Sequence, residues 1–425
     1  MRRERPPELF ELDIDTLSPG RDGAGMHAGR TIHVPWTLPG DRVLAMSQGQ
    51  GRALPERWLR RAPGRAAPSC GHYERCGGCT AQHLQPDAYA AWKAGIAREA
   101  AARAGFPDAL VAPLSISPPR ARRRATLAAV LGATGVALGF HALARREIVD
   151  LDACAILAPG IAAILQDLRE ALRPALDRAA RCDLAITLAE NGLDVVVVGE
   201  VERARLAALA ALPAIARLSM GTDPEGEHEL VALHRRPVIC FDGIAVEPPP
   251  HVFLQATVEG EGAIRDAMRD GLDGARRVAD LFSGCGTLSL PLARERQVTA
   301  VDSHGGALAA LDAAARAGGV GARLRVLRRD LARRPLVGEE LEDFDGVVFD
   351  PPREGARDQA AALARSPVPR VVAVSCNPAT FARDAALLRE GGYRLDRLTP
   401  VDQFTWSPHL ELVGCFSRPR TRRRG

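Results

Sequence analysis

The sequence predicts an α/β protein, with a C-terminal doubly wound sheet preceded by a small N-terminal β-barrel and a central α+β domain. After Pro248-Pro249-Pro250, short apolar strands alternate with helical stretches, the pattern of a parallel sheet covered on both faces. Before residue 60, several short extended runs are punctuated by Gly and Pro, as in a small barrel. Between these regions, amphipathic helical stretches mix with a hairpin signal. The expected domains are 1–60, 61–250 and 251–420, the helical part near 85–115 being free to pack on the C-terminal domain.

In chain order, extended runs are expected at Glu11 to Leu17, Arg30 to Pro35 and Arg42 to Met46. The glycines of Gly20-Arg21-Asp22-Gly23-Ala24-Gly25 and the turn Leu38-Pro39-Gly40-Asp41 separate them. A Pro/Arg-rich connector, Arg60 to Pro68, leads into a cysteine cluster and fits a domain boundary. Ala88 to Ala104 reads as helix, Arg122 to Asp150 as antiparallel strands, and Ile161 to Ala180 as amphipathic helix. Cys182 to Leu188 and Leu193 to Gly199 flank Glu190-Asn191-Gly192, where Asn-Gly signals a hairpin. The C-terminal strands are expected at Arg277 to Phe282, Val298 to Val301, Leu324 to Leu327, Gly346 to Asp350 and Arg370 to Ser375, with a late strand at Leu410 to Phe416.

Composition narrows the function classes. At 425 residues the chain is roughly two to three times the usual domain size. Hydrophobic residues at 46% and charged residues at 25% point away from disorder and fibrous repeats. The longest uncharged stretch, Thr126 to Ala144, is broken by Gly132, Gly135 and Gly139 and reads as strand, turn, strand, so no membrane partner is expected. The N-terminus has charges without an apolar core or cleavage site; a cytoplasmic protein is expected. Net charge is only +4, yet Lys93 is the sole lysine, and arginines cluster at Arg120-Ala121-Arg122-Arg123-Arg124 and from Arg418 to Arg424. Arginine clusters suit phosphate, so a nucleic-acid partner is permitted; solvated charged faces explain them equally well.

The chemistry gathers at expected strand ends. Asp280-Leu281-Phe282-Ser283-Gly284-Cys285-Gly286-Thr287 follows the first C-terminal strand, where glycines let a cofactor approach the backbone. The second strand ends at Asp302, an acceptor for ribose hydroxyls. This acidic Gly-x-Gly turn lacks the dinucleotide fingerprint and resembles the cofactor loop of class I S-adenosylmethionine-dependent methyltransferases. Asp350-Pro351-Pro352-Arg353 follows the fourth strand, and Ser375-Cys376-Asn377-Pro378 the fifth. A cysteine there is more often a core residue than a nucleophile, but a rigid turn follows this one and a reaction needs it. C5 of a pyrimidine is too weak a nucleophile to attack a methyl sulfonium until a thiolate adds at C6. After transfer a base must take the C5 proton, and Glu411 in His409-Leu410-Glu411 is the candidate. Separately, Cys70-x5-Cys76-x2-Cys79 reads as a metal or cluster site, with Cys154 the best distant fourth ligand; spacing alone leaves zinc and iron–sulfur both open.

With these residues in hand, the chain resembles, almost end to end, the RNA (uracil-5-)-methyltransferase family, closest to the 23S rRNA enzymes that carry an iron–sulfur cluster. The resemblance implies a TRAM domain, a small OB-like RNA-binding barrel, around Gly20 to Val43, and a class I methyltransferase fold for the C-terminal domain. It implies a [4Fe-4S] cluster on Cys70, Cys76, Cys79 and Cys154. It implies S-adenosylmethionine contacts from Gln255, in a Phe-x-Gln motif with Phe253, and from Phe282, Asp302 and Asp350. Cys376 matches the nucleophile and Glu411 the base. The chain departs from the family's usual pattern at Asp302, commonly glutamate, at Thr287, often asparagine, and in the helix after Asp302, where Ala314 and Gly318 stand in a segment that usually carries asparagines.

The expected protein is a monomer acting on RNA, with 23S rRNA favoured and tRNA as the alternative target. A non-catalytic RNA-binding protein with a vestigial methyltransferase fold is the second reading. Amino-group methylation, a third, calls for an aromatic residue where this chain has Arg353.

Overall fold

The computed structural model describes residues 8–18, 22–143, 145–177, 180–223 and 226–419. The turn expected at Gly20-Arg21 and most of the Arg418 to Arg424 cluster lie outside the described residues. The chain forms two compact units, one of Met1–Trp92, His141–Glu147 and Trp406–Pro408, the other of Lys93–Phe140, Ile148–Thr405 and His409–Gly425.

The first unit holds strands β1 (Leu9–Asp13), β2 (Thr16–Leu17), β3 (Gly23–His27), β4 (Arg30–Val34), β5 (Arg42–Gly49) and β6 (Arg52–Arg60), in the order β1-β5-β6-β4-β3-β2. The run expected at Glu11 to Leu17 is thus two pieces of one extended segment, pairing β5 on one side and β3 on the other, so the sheet curls until both ends lie on that segment. Leu12, Ile14, Val34, Val43, Ala45 and Ala53 fill its core. The Leu38 to Asp41 turn is fixed by the Asp41 carboxylate, which accepts from the backbone N–H of Leu38 (2.7 Å) and Ala62 (2.6 Å) and from Arg65 (2.7 Å). A buried carboxylate needs such partners. The Gly23 to Gly25 stretch, read from sequence as turn, is strand β3: a Cβ on Gly25 would come within 2.0 Å of the Asp13 carbonyl oxygen.

In the second unit, a helix over Pro86–Arg103, which begins in the first unit, opens with Pro86 at a position where a missing N–H costs nothing. It closes at Gly105, whose φ of +85° lets the Phe106 N–H return to the Ala101 carbonyl. Its Ala97, Ala100 and Ala101, and Ala104 just after it, share one core with Leu281, Phe349, Leu410 and Phe416. Strand β7 (Ser115–Ile116) follows. Strands β8 (Arg124–Leu131), β9 (Val136–His141), β10 (Ile148–Asp150), β11 (Arg181–Ala189), β12 (Gly192–Val198), β13 (Ile215–Gly221) and β14 (Glu229–Leu233) form a seven-stranded sheet. The expected hairpin is β11 and β12, antiparallel, with Ala189 opposite Gly192. The helix expected over Ile161 to Ala180 is instead two short pieces, Pro159–Ala162 and Leu165–Leu172. Pro174 has no N–H to donate to the Glu170 carbonyl, so the helical hydrogen-bond ladder is interrupted there.

After the short hairpin β15 (Ile239–Phe241) and β16 (Ile244–Val246) come β17 (Arg277–Leu281), β18 (Gln297–Asp302), β19 (Leu324–Arg328), β20 (Gly346–Phe349), β21 (Arg370–Ser375), β22 (Arg394–Asp402) and β23 (Glu411–Ser417). With β7 they make an eight-stranded sheet ordered β19-β18-β17-β20-β21-β23-β22-β7. Strands β17 to β21 are mutually parallel, while β23 runs antiparallel to both its neighbours. The chain winds from β17 outward to β19, then returns to β20 on the other side, so the strand order reverses between β17 and β20. In open α/β sheets ligands bind beyond the carboxyl ends of the strands at such a reversal.

Candidate active site

The expected site residues stand at those carboxyl ends. Phe282 follows β17, Asp302 closes β18, Asp350 follows β20 and Cys376 follows β21. The turn after β17 is bent by positive φ at Phe282 (+62°), Gly284 (+53°) and Gly286 (+101°). A bulky residue in the left-handed region is strained, and such strain gathers at functional sites. Only glycine fits at 286, where a Cβ would meet Leu311 at 2.4 Å, whereas Gly284 faces open space. Asp302 holds the turn from the next strand: its carboxylate accepts from the Gly284 N–H (2.9 Å) and the His304 N–H (2.8 Å). Beneath the turn, Asp280 is fully enclosed, with one oxygen accepting from the Ser289 hydroxyl (2.5 Å). Its other oxygen and the buried Ser283 hydroxyl have no hydrogen-bond partner among the described residues. Burial pushes Asp280 up to about 7 from an ordinary 3.8.

Cys376 lies between a strand and a helix cap. Asn377 caps the helix Pro378–Glu390 by accepting the Ala379 N–H (3.0 Å), Pro378 occupies the first helical turn, and the Asn377 side chain donates to the Arg353 carbonyl (3.2 Å). The thiol is half-buried. Burial pushes it up to about 11, with the charges of Glu411 and Asp350 adding to the effect and Arg353 opposing it. Glu411 opens β23. Ser375 pairs with Leu412 in the last rung of this antiparallel ladder, so Cys376 and Glu411 both lie just beyond it, and the charge of Glu411 acts on the thiol.

Glu411 is enclosed and held well above the usual carboxylate range, first by burial and then by the charge of Asp350. Burial raises Asp350 as well. A side chain not anticipated from sequence connects these groups. Gln403 donates to the Glu411 carboxylate (3.1 Å) and to Gln255 Oε1 (2.5 Å), and Gln255 in turn donates to Asp350 (2.8 Å). Gln255, Asp350, Glu411 and, electrostatically, Cys376 therefore form one cluster, with Phe282 and Asp302 on the neighbouring strand ends. Gln403 carries no motif that would reveal it; Asp280, inside the glycine-rich motif, shows its isolation only through burial.

The arginine cluster is divided. Arg123 turns inward to an ion pair with Glu261 (2.5 Å) and donates to the Gln255 carbonyl (3.0 Å), so it braces the site rather than meeting phosphate. Arg122 and Arg124 lie over Phe404 (5.9 Å) and Phe253 (5.3 Å), and Phe253 is 62% exposed. These four residues and His251 line a cavity of about 200 Å³.

Of the candidate metal ligands, Cys70 is half-buried and Cys76 and Cys79 are buried in the first unit, while Cys154 is half-buried in the second. The loop is tight: the Gly77 N–H donates to the His141 carbonyl (2.9 Å), and a Cβ there would meet that oxygen at 2.9 Å. The thiol donor set suits an iron–sulfur centre, but among the described residues no three His, Cys, Asp or Glu side chains converge to hold a metal. No helix among the described residues is long and apolar enough to cross a membrane.

Comparison with known proteins adds to this geometry. The family described as tRNA (Uracil-5-)-methyltransferase matches residues 327–418, which include Asp350, Cys376 and Glu411. An RNA methyltransferase of Brucella suis biovar 1 is 41% identical over 415 residues, covering 96% of this chain and 98% of that one. The 23S rRNA (uracil(1939)-C(5))-methyltransferase RlmD of Aeromonas salmonicida is 31% identical and covers 98% of each chain. In fold, the chain is similar to the crystal structure of Pyrococcus abyssi tRNA (uracil-54, C5)-methyltransferase in complex with S-adenosyl-L-homocysteine. The TM-score is 0.73 at 23% identity, with 96% of this chain and 100% of that one covered.

Proposed function

From the RNA (uracil-5-)-methyltransferase family, to which this chain belongs, we propose that the protein methylates C5 of a uridine in 23S rRNA through a covalent bond between Cys376 and uracil C6. The chain is an RNA uracil-5 methyltransferase that uses S-adenosylmethionine. The observation that carries the finer reading is that Cys376 and Glu411 lie beside the last rung of the β21–β23 ladder, close enough for the charge of Glu411 to act on the thiol.

When bound, S-adenosylmethionine supplies an electrophilic methyl group, and Gln255, Phe282, Asp302 and Asp350 are the residues proposed to hold it. The buried, unpartnered oxygens of Asp280 and Ser283 and the open face of Gly284 fit a polar ligand at this turn. The chain's own residues perform the rest. Cys376, as thiolate, forms a bond to C6 and leaves C5 electron-rich. A protonated Glu411 exerts little charge against that thiolate, so the burial that keeps the carboxyl neutral favours the first step. For the last step Glu411 must be ionised: once its own proton has passed to solvent, its carboxylate takes the C5 proton, the C5–H electrons restore the C5–C6 double bond, and the C–S bond breaks to return the thiolate.

The target is proposed from the full-length similarity to the rRNA enzyme, with tRNA as the alternative. Arginine and aromatic pairs around an open cavity support single-stranded RNA, whose bases stack on such side chains. The N-terminal sheet is proposed as a TRAM-like RNA-binding barrel over 1–60, ahead of a central domain over 61–250 and the methyltransferase domain over 251–420, in a cytoplasmic monomer. A [4Fe-4S] cluster on Cys70, Cys76, Cys79 and Cys154 is proposed from the family resemblance, the cysteine spacing alone allowing zinc as well, and no step passes through it.

Incubation with labelled S-adenosylmethionine and undermodified RNA tests the mechanism. Methyl transfer is expected, and Cys376→Ala is expected to abolish it; transfer surviving that change would remove Cys376 from its role. Glu411→Gln is expected to accumulate a denaturant-stable protein–RNA adduct, because addition proceeds while elimination stalls.

A further inference from the structure

We propose that Gln403 is a positioning residue for this reaction, its amide locked in the one orientation that aims Glu411 and Gln255 into the same cleft. The inference rests on the base role proposed for Glu411. Gln403 follows the last residue of β22 and is 2% exposed. Its Oε1 accepts the backbone N–H of Ala256 at 2.6 Å, which forces the NH2 group to the opposite side. There it donates to Gln255 Oε1 and to Glu411. A flipped amide would set NH2 against N–H at Ala256 and oxygen against oxygen at both other contacts, so the backbone group selects one state.

The selection propagates. With Oε1 of Gln255 occupied, its Nε2 turns to Asp350, so a single backbone N–H fixes the sense of two side-chain amides. The packing leaves Gln403 little freedom: a Cβ on Gly260 would lie 2.6 Å from the Gln403 Cβ, and only glycine leaves that space. Burial, Asp350, Arg353 and Gln403 act on Glu411, and Gln403 supplies the hydrogen bond its carboxylate receives among the described residues. A donor to the charged form favours that form, so Gln403 works against the burial that holds the base protonated.

The test isolates the step Glu411 performs. RNA carrying 5-tritiated uridine releases tritium when the C5 proton leaves, and the pH dependence of that release is measured in single turnover with the full-length protein. Gln403→Met, which removes the donor, is expected to move the profile upward by roughly one pH unit, about a tenfold loss of rate at neutral pH, while methylated adduct accumulates. Gln403→Glu is expected to move it further, by placing a second carboxyl beside the first. Gly260→Ala, which crowds Gln403 from the neighbouring helix, is expected to shift the profile in the same direction. A slower rate with an unmoved profile, or no change, would overturn the proposal. Wild-type tritium release by Glu411→Gln would instead overturn the base assignment beneath it.

Discussion

Asp280 shows how much a single enclosed carboxyl can cost. One oxygen has a hydroxyl partner, the other has none among the described residues, and the whole group is buried. A carboxyl whose folded value lies above its unfolded one binds an extra proton in the folded state between the two values. Stability then falls as pH rises from about 3.8 to about 7 and levels above that window. Asp280→Asn keeps the acceptor for Ser289 and removes the ionisation, so its melting temperature relative to wild type should rise between pH 5 and pH 8. A constant difference across that range, read by calorimetry, would mean the cost lies elsewhere. Cysteines are sorted by the same physics. Cys182, Cys285 and Cys415 are buried and pushed up by burial above all, which suits packing, whereas Cys376 keeps an accessible edge. Sequence placed Cys376 at a strand end; its burial and its neighbours came only with the fold.

At the scale of elements, the site depends on how β22 and β23 are tied together. Lys93, the sole lysine, is fully buried in the helix over Pro86–Arg103; it pairs with Asp402 (2.9 Å) at the end of β22 and donates to the His409 carbonyl (2.5 Å), two residues before Glu411. A stripe of alanines made that helix legible, but nothing in its sequence marked Lys93 as a strand clamp, because the partners are some three hundred positions away in the chain. Breaking a buried pair strands the remaining charge, so Lys93→Met should cost about 3–5 kcal/mol in urea unfolding. Adding Asp402→Asn should recover part of that loss; equal stability of the single and double variants would show that the stranded charge is not the cause. The helix expected over Ile161 to Ala180 shows the opposite limit, since apolar periodicity runs on past Pro174, where the helical hydrogen-bond ladder loses a donor.

For the whole molecule, the proposals concern its partners: 23S rRNA as the target and an iron–sulfur cluster on the cysteine loop. RNA from a strain lacking this gene should lose one 5-methyluridine from 23S rRNA while its tRNA is unchanged; loss confined to tRNA would transfer the proposal to the alternative target. Protein purified without oxygen should carry about four iron and four sulfide per chain, and Cys76→Ala should lose them. Protein free of both would set the spacing argument aside and leave the methyl-transfer mechanism untouched.

Local patterns alone determined the α/β character, the hairpin at Asn191, the turn at Asp280 to Thr287 and the residues that stand at strand ends, because each depends on neighbours a few positions apart. The division of the arginine cluster, the isolation of Asp280, the clamp by Lys93 and the orientation of Gln403 were decided by tertiary structure. Each of these depends on a polar group meeting, or failing to meet, a partner brought from far along the chain. Burial makes that meeting consequential, because an enclosed amide or carboxyl has no water to substitute for a missing partner.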